Sequence, residues 1–171
     1  MTVSIHSIRG NRQVVALLAS WHHAEWGRLY AEDRWNLVLA TDELERMADG
    51  RSNDHAWVAF DGDGRGALDV VGSVALLASD DVDGFDHLTP WLASLYVRSD
   101  ARGRGIAADL IDLVIDRAKG FGHDDVYLFT SGQEAYYLAR GWRVVDTTEQ
   151  QGHTATVMER PTGRPADRLI G

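Results

Sequence analysis

A chain of 171 residues can bury a substantial core and is short enough to favour one compact unit. It contains no cysteine, which excludes disulfides, cysteine-based metal sites and a cysteine nucleophile. A formal net charge of −9 argues against nucleic acid and anionic membranes as partners and favours cationic ones.

Val3 to Ile8 alternates apolar and polar residues, which predicts a half-buried strand. Val14, Leu18 and Trp21, with Val15 and Leu17 beside them, predict one face of a first helix. A further helical turn is expected around Trp35 to Leu39. A second helix is expected from Thr41 as cap, through Asp42 and Glu43 in its first turn, to Gly50 as stop. His55–Phe60 and Leu68–Leu77 read as strands joined by a hairpin at Asp61-Gly62-Asp63-Gly64-Arg65-Gly66. Asp61 and Asp63 are spaced like the first ligands of a calcium loop, but the closing glutamate is missing, so the hairpin is preferred.

Ser79 to Thr89 is an acidic, irregular loop of the kind that carries substrate contacts. Trp91–Val97 is a strong strand, followed by a glycine-bearing loop and a helix to about Lys119. Its inner face is expected to hold Ile106, Leu110, Leu113, Val114, Ala118 and Phe121, with Asp109, Asp112, Asp116 and Lys119 outside. Then follow a strand at Val126–Phe129, a short helix at Gln133–Arg140 stopped by Gly141, and strands at Trp142–Asp146 and Thr154–Glu159. The order β-α-α-β-β-β-α-β-α-β-β predicts a mixed α/β (α+β) domain over residues 1–160, with 161–171 a loosely held tail. No apolar run approaches the roughly 20 residues that cross a bilayer. Met1 to His6 lack the basic-then-apolar pattern of a secretory signal, so a cytoplasmic protein is expected.

The loop Arg102-Gly103-Arg104-Gly105-Ile106-Ala107 joins a strand to the start of a helix. Backbone N–H groups there have no helical partner, and the helix dipole adds partial positive charge, so the loop is a natural diphosphate cradle. Gly103 and Gly105 permit close approach, and Arg102 and Arg104 add charge. The Walker pattern is absent, because no lysine followed by serine or threonine ends the loop. The dinucleotide pattern fails at Ala108. A tight strand-to-helix turn would use the same glycines.

The segment Leu95-Tyr96-Val97-Arg98-Ser99-Asp100-Ala101-Arg102-Gly103-Arg104-Gly105-Ile106-Ala107 resembles motif A of the GNAT superfamily of N-acetyltransferases, [Q/R]-x-x-G-x-[G/A], filled by Arg102, Gly105 and Ala107. Downstream, Ala135-Tyr136-Tyr137-Leu138-Ala139-Arg140-Gly141-Trp142 is similar to that family's A-x-x-Y-x-x-x-G-[F/W] segment. The resemblance implies a twisted, mostly antiparallel sheet flanked by helices, whose fourth and fifth strands splay to admit the arm of acetyl-CoA. It implies that Leu95, Tyr96 and Val97 hold that arm with backbone groups, one N–H polarising the acetyl carbonyl, and that residues 102–107 hold the pyrophosphate. Tyr137 would be the general acid on the departing thiolate; Tyr136 is its neighbour and rival. No metal is implied.

An alkyl amine must lose a proton before it attacks. Many members of that family place a glutamate on the fourth strand for this, but here it reads Trp91-Leu92-Ala93-Ser94-Leu95. Two clusters are candidates instead. His22, His23, Glu25 and Trp26 are expected just after the first helix, with His23 and Glu25 as candidate bases and His22 and Trp26 as acceptor contacts. Asp86, His87 and Trp91 precede the fourth strand as further acceptor contacts. A two-histidine, one-carboxylate metal site is conceivable at the first cluster but has no catalytic need.

The implied reaction is direct transfer from acetyl-CoA to a primary amine of a small, cationic molecule or a peptide end. A homodimer is compatible with the sequence. The rival reading is a non-catalytic acyl-CoA-binding or regulatory protein of the same fold. A nucleotide-dependent phosphoryl transferase lacks the loop lysine and a Mg²⁺ carboxylate set.

Overall fold

The structure is a computed structural model and describes residues 2–163. It forms one seven-stranded sheet in the order β1-β2-β3-β4-β5-β7-β6. The strands are β1 (Val3–Ser7), β2 (His55–Asp61), β3 (Val70–Leu77), β4 (Trp91–Val97), β5 (Asp125–Thr130), β6 (Arg143–Gln150) and β7 (His153–Pro161). The helices are α1 (Val15–Trp26), α2 (Leu37–Ala48), α3 (Ile106–Gly120) and α4 (Glu134–Leu138). All neighbouring strands run antiparallel except β4 and β5. The expected element order and mixed, mostly antiparallel architecture are therefore present.

Side-chain alternation on β2 assigns the two faces of the sheet. Ala56, Val58 and Phe60 pack with the apolar stripes of α1 (Val15, Leu18, Ala19) and α2 (Ala40, Leu44, Met47, Ala48). Trp57 and Ala59 pack on the other side with Ile106, Leu110, Ile111, Val114, Ile115 and Ala118 of α3. The α3 stripe is rotated from the expected one: Ile111 and Ile115 are buried, whereas Phe121 is half exposed and stacks on His55 at 4.6 Å. A third small core, Val82, Trp91 and Val157, lies under Phe85 and Leu88 of the acidic loop.

Two helix boundaries differ from expectation. α1 does not stop at Trp21; its buried positions continue to His22 and the helix runs through Trp26. α2 is capped by Asn36, whose side-chain oxygen accepts from the N–H groups of Val38 and Leu39 at 2.9 and 3.1 Å. The Thr41 hydroxyl instead donates back to the Leu37 carbonyl, one turn earlier inside the helix. Asn is as good a cap as Thr, and the turn expected at Trp35–Leu39 is the start of this helix. Pro161 belongs to β7, and Thr162 is fixed by bonds to Asp124 and His123 at 2.8 Å each. The rest of the expected tail lies outside the described residues. No helix among the described residues is long and apolar enough to cross a membrane.

β4 and β5 meet at a single register pair, Trp91 with Tyr127, and then part. From Leu92 onward the β5-facing edge of β4 has no strand beside it, and a cleft opens there. On its other edge β4 carries an extra residue: Ser73 pairs with Tyr96, but Ala75 pairs with Ala93. Ser94 occupies the bulge with φ of 52°, a conformation that costs a non-glycine residue energy.

Candidate active site

The cleft between β4 and β5 widens into a cavity of about 810 Å³. One wall is the strand Leu92–Val97. The far end is Arg102, Gly103, Gly105, Ile106, Ala107 and Ala108, the turn into α3. Gly103 and Gly105 adopt φ of 77° and 83°, the left-handed region that favours glycine, and Gly105 is the residue before the first turn of α3. The outward N–H groups of Ile106, Ala107 and Ala108 belong to that first turn and have no intrahelical acceptor. They face a concave, solvent-reachable space, so an anion can be held there by the backbone.

The two loop arginines are placed differently. Arg102 borders the cavity and donates from Nε to the Val97 carbonyl at 3.0 Å, tying the loop to the end of β4. The Arg104 side chain does not line the cavity; it makes a two-point pair with Asp61 at 3.0 and 3.1 Å. That pair holds the Asp61 carboxyl below its ordinary range and fixes the β2–β3 turn against the loop. The Asp61–Gly66 segment is thus a strand connection, as its antiparallel neighbours require.

Tyr136 and Tyr137 of α4 both border the cavity. They are distinguished by their surroundings. The Arg140 guanidinium lies 3.6 Å from the centroid of the Tyr136 ring and covers it. Tyr137 is clasped edge-on between Tyr136 and Trp142, with centroids 5.3 and 5.9 Å away. Burial, reinforced by Tyr136, pushes the Tyr137 phenol up to about 12, so it is protonated throughout the neutral range. Among the described residues its hydroxyl has no hydrogen-bond partner. It is a donor available to whatever enters the cavity.

The near end of the cavity is aromatic and acidic: Trp26, Tyr30, Trp35 and Phe129 with Glu25, Glu43, Asp80 and Asp81. Tyr30 stacks on Trp35 at 5.2 Å, and its hydroxyl donates to Asp80 Oδ1 at 3.3 Å. Trp35 donates from its indole N–H to Glu43 Oε2 at 3.2 Å. Burial raises Asp80 to about 8, with Asp81 and Glu43 adding repulsion against the Tyr30 bond. Burial likewise raises Glu43, offset in part by the Trp35 bond. The Tyr30 phenol is raised well above its ordinary value by burial and then by Asp80.

Of the expected base and acceptor residues, Glu25 and Trp26 line this cavity. His22, His23, Asp86, His87 and Trp91 do not. His22 is 4% exposed and lies inside the fold because α1 continues through it, its ring bonded through Nε2 to Ser73 Oγ at 2.8 Å. Ser73 Oγ donates a hydrogen bond to the Ser94 carbonyl at 3.3 Å, so Nε2 of His22 is the donor to Ser73. Burial lowers His22 to about 4, which keeps it neutral in this role beneath the β4 bulge. The His23 ring packs 3.1 Å from where a Cβ of Gly27 would stand and lies near Trp35. Asp86 and His87 are exposed on the outer part of the acidic loop. Trp91 is a core residue, its indole N–H bonded to the Leu88 carbonyl at 2.7 Å.

Tyr30, Trp35, Glu43 and Asp80 were not singled out from the sequence as site residues. Among the described residues, no three histidine or acidic side chains are grouped to hold a metal ion.

The sequence model of the acetyltransferase (GNAT) family matches residues 14–142, from the start of α1 to the end of the Tyr137 segment. The chain belongs to the GNAT acetyltransferase family. Solved structures repeat this GNAT fold at low identity. An aminoglycoside 6′-N-acetyltransferase complexed with coenzyme A aligns with a TM-score of 0.70 and 16% identity, over 98% of this chain and 100% of its own. NAA60 from Arabidopsis thaliana, in complex with acetyl-CoA, gives 0.67 and 17% over 94% and 98%. A GNAT acetyltransferase from Staphylococcus aureus Mu50 gives 0.65 and 17% over 94% and 99%. No curated protein matches the sequence significantly.

Proposed function

We propose that this GNAT chain transfers the acetyl group of acetyl-CoA directly to a primary amine of a small, cationic molecule or peptide end. The observation that carries the reading is one continuous cavity with an anion-holding turn at one end and an acidic, aromatic chamber at the other. A diphosphate fits the first end by charge and by the free N–H groups at Ile106–Ala108. A cationic amine fits the second end, where Glu25, Glu43, Asp80 and Asp81 face Trp26, Trp35 and Tyr30.

The residues present fit acetyl-CoA, which would supply the activated acyl group. Residues 102–107 would hold its pyrophosphate. The edge of β4 at Leu95–Val97, which has no strand beside it although the Val97 carbonyl is held by Arg102, would bond its extended arm as a strand bonds its neighbour. An N–H of that edge, aimed at the acyl oxygen, would stabilise the negative charge that develops there. Tyr137 would donate to the departing sulfur. With a phenol near 12 and a thiol near about 8.5, complete transfer in the resting cavity is uphill, so the hydrogen bond itself is the larger part of the contribution.

The same fold without catalysis, binding acyl-CoA as a sensor, is disfavoured by the unpartnered Tyr137 hydroxyl inside the cavity. Thiol release from acetyl-CoA across a panel of alkyl diamines, amino sugars, amino acids and peptides separates the two. Turnover on cationic amines is expected; tight cofactor binding with no turnover on any amine would leave only the sensor.

A further inference from the structure

The amine end of the cavity needs a proton acceptor, and β4 supplies none. We infer that Asp80, held in place by Tyr30, takes the proton from the incoming ammonium. This rests on the acetyltransferase reading above and adds the base to it.

The geometry singles out Asp80 among the four carboxylates. Three residues past the end of β3, it turns inward at the cavity wall, while Asp81, with φ of 50°, is exposed. The Asp81 carbonyl is fixed by the buried Gln150 amide at 3.2 Å, which anchors this stretch to the end of β6. Asp80 Oδ1 takes the Tyr30 hydroxyl, and Oδ2 has no hydrogen-bond partner among the described residues. No ion pair to Asp80 is present among those residues, although an unpaired carboxylate in a partly apolar wall is costly. The groups facing it are Tyr30 from the turn after α1, Glu43 from α2 and Asp81 from its own loop. The nearby cations are engaged: Arg34 pairs with Asp83 at 2.8 Å, and Arg28 donates to the Glu25 carbonyl. No cation among the described residues is therefore placed to favour ionised Asp80, and an entering ammonium would be the partner of that form. Glu43, which likewise has one oxygen engaged, is a weaker candidate because the Arg46 guanidinium already lies near enough to favour its charged form, and Glu25 is exposed to water.

An ammonium N–H bond breaks and an O–H bond forms on Asp80, leaving the nitrogen lone pair free. That pair forms the C–N bond to the acetyl carbon, and the C–S bond breaks with its electrons on sulfur. The sulfur leaves against the Tyr137 hydrogen bond and is protonated by the second proton lost from nitrogen, relayed through water and the Tyr137 hydroxyl. The Asp80 proton leaves to solvent, so one proton is released per amide formed. A carboxyl near 8 lowers the disadvantage of the first transfer from an alkylammonium near about 10 to roughly a hundredfold, against roughly a millionfold for an ordinary aspartate.

The experiment compares wild type with Asp80→Asn on two acceptors: the alkylamine turned over fastest in the panel, and O-methylhydroxylamine, a weakly basic amine already neutral at neutral pH. For wild type and the alkylamine, kcat/KM should rise with pH through about 8, as Asp80 ionises, and fall only as the amine itself deprotonates. Asp80→Asn should lower that kcat/KM about a hundredfold or more near neutral pH and move the rise to the amine's own pKa. Turnover of O-methylhydroxylamine should fall less than about tenfold, and acetyl-CoA affinity should not change. Folding is checked in the same variant. Because the folded state raises the Asp80 pKa, ionisation opposes folding increasingly up to about pH 8, so Asn should raise the thermal midpoint there. Unchanged alkylamine turnover, or an equal loss on both acceptors, would overturn the assignment and leave the acetyltransferase reading standing. Absence of turnover by the wild type on every amine would overturn both.

Discussion

Ala107→Glu should weaken acetyl-CoA binding by about a hundredfold to a thousandfold while leaving the fold intact. Ala107 is the second residue of α3 and borders the far end of the cavity. A carboxylate at that position favours the helix, since it complements the positive end of the dipole. The same charge stands where the pyrophosphate must lie, and like charges in contact cost several kcal/mol, or two to three decades of affinity. Isothermal titration gives the affinity, and thermal denaturation supplies the control. A variant that binds as well as wild type would mean that the glycine turn is only a strand-to-helix connection.

Tyr137→Phe should lower kcat about a hundredfold, with KM for acetyl-CoA changed less than about threefold. Phenylalanine keeps the ring between Tyr136 and Trp142 and removes only the hydroxyl. A hydrogen bond to a group becoming charged contributes about 1.5–3 kcal/mol, which is ten- to a hundredfold, and general-acid transfer adds to it. The loss belongs to the transition state, because the sulfur is neutral in the bound thioester; the change therefore falls on kcat. The phenol near 12 is protonated at every pH where the protein is assayed, so Tyr137 should contribute no basic limb below about pH 11. Steady-state kinetics over pH checks both points. Unchanged kcat would remove Tyr137 from the chemistry and bring Tyr136 into consideration.

The donor half of the site was legible in the sequence because it is built from local signals. A strand, two glycines that need left-handed backbone and an amphipathic helix occur within one stretch, from Trp91 to Gly120. The Tyr137 segment is equally local. Strand and helix boundaries followed periodicity, and the misplacements came where two signals competed. Asn36 and Thr41 both cap helices well, and only the chain's path into α2 decides between them.

The acceptor half was illegible for a different reason. Tyr30, Trp35, Glu43 and Asp80 converge from the turn after α1, from the entry to α2, from α2 itself and from the end of β3. No spacing along the chain announces such a meeting. Within the acidic loop, four aspartates look alike until the fold places Asp80 half-buried at the cavity wall and leaves Asp81, Asp83 and Asp86 exposed. The histidines attracted attention by their chemistry, yet α1 continues one turn further than its apolar stripe suggested. That extension buries His22 beneath β3, where it serves Ser73 and the bulge at Ser94 rather than an amine.

The cavity's two ends and the order of groups along it are tested together by a crystal structure of the protein with coenzyme A. The pyrophosphate should sit on the N–H groups between Gly103 and Ala108, the extended arm should bond the β4 edge at Leu95–Val97, and the sulfur should lie within hydrogen-bond reach of the Tyr137 hydroxyl on the side facing Asp80. Coenzyme A bound outside the β4–β5 cleft, or with its sulfur turned away from Tyr137, would contradict the account.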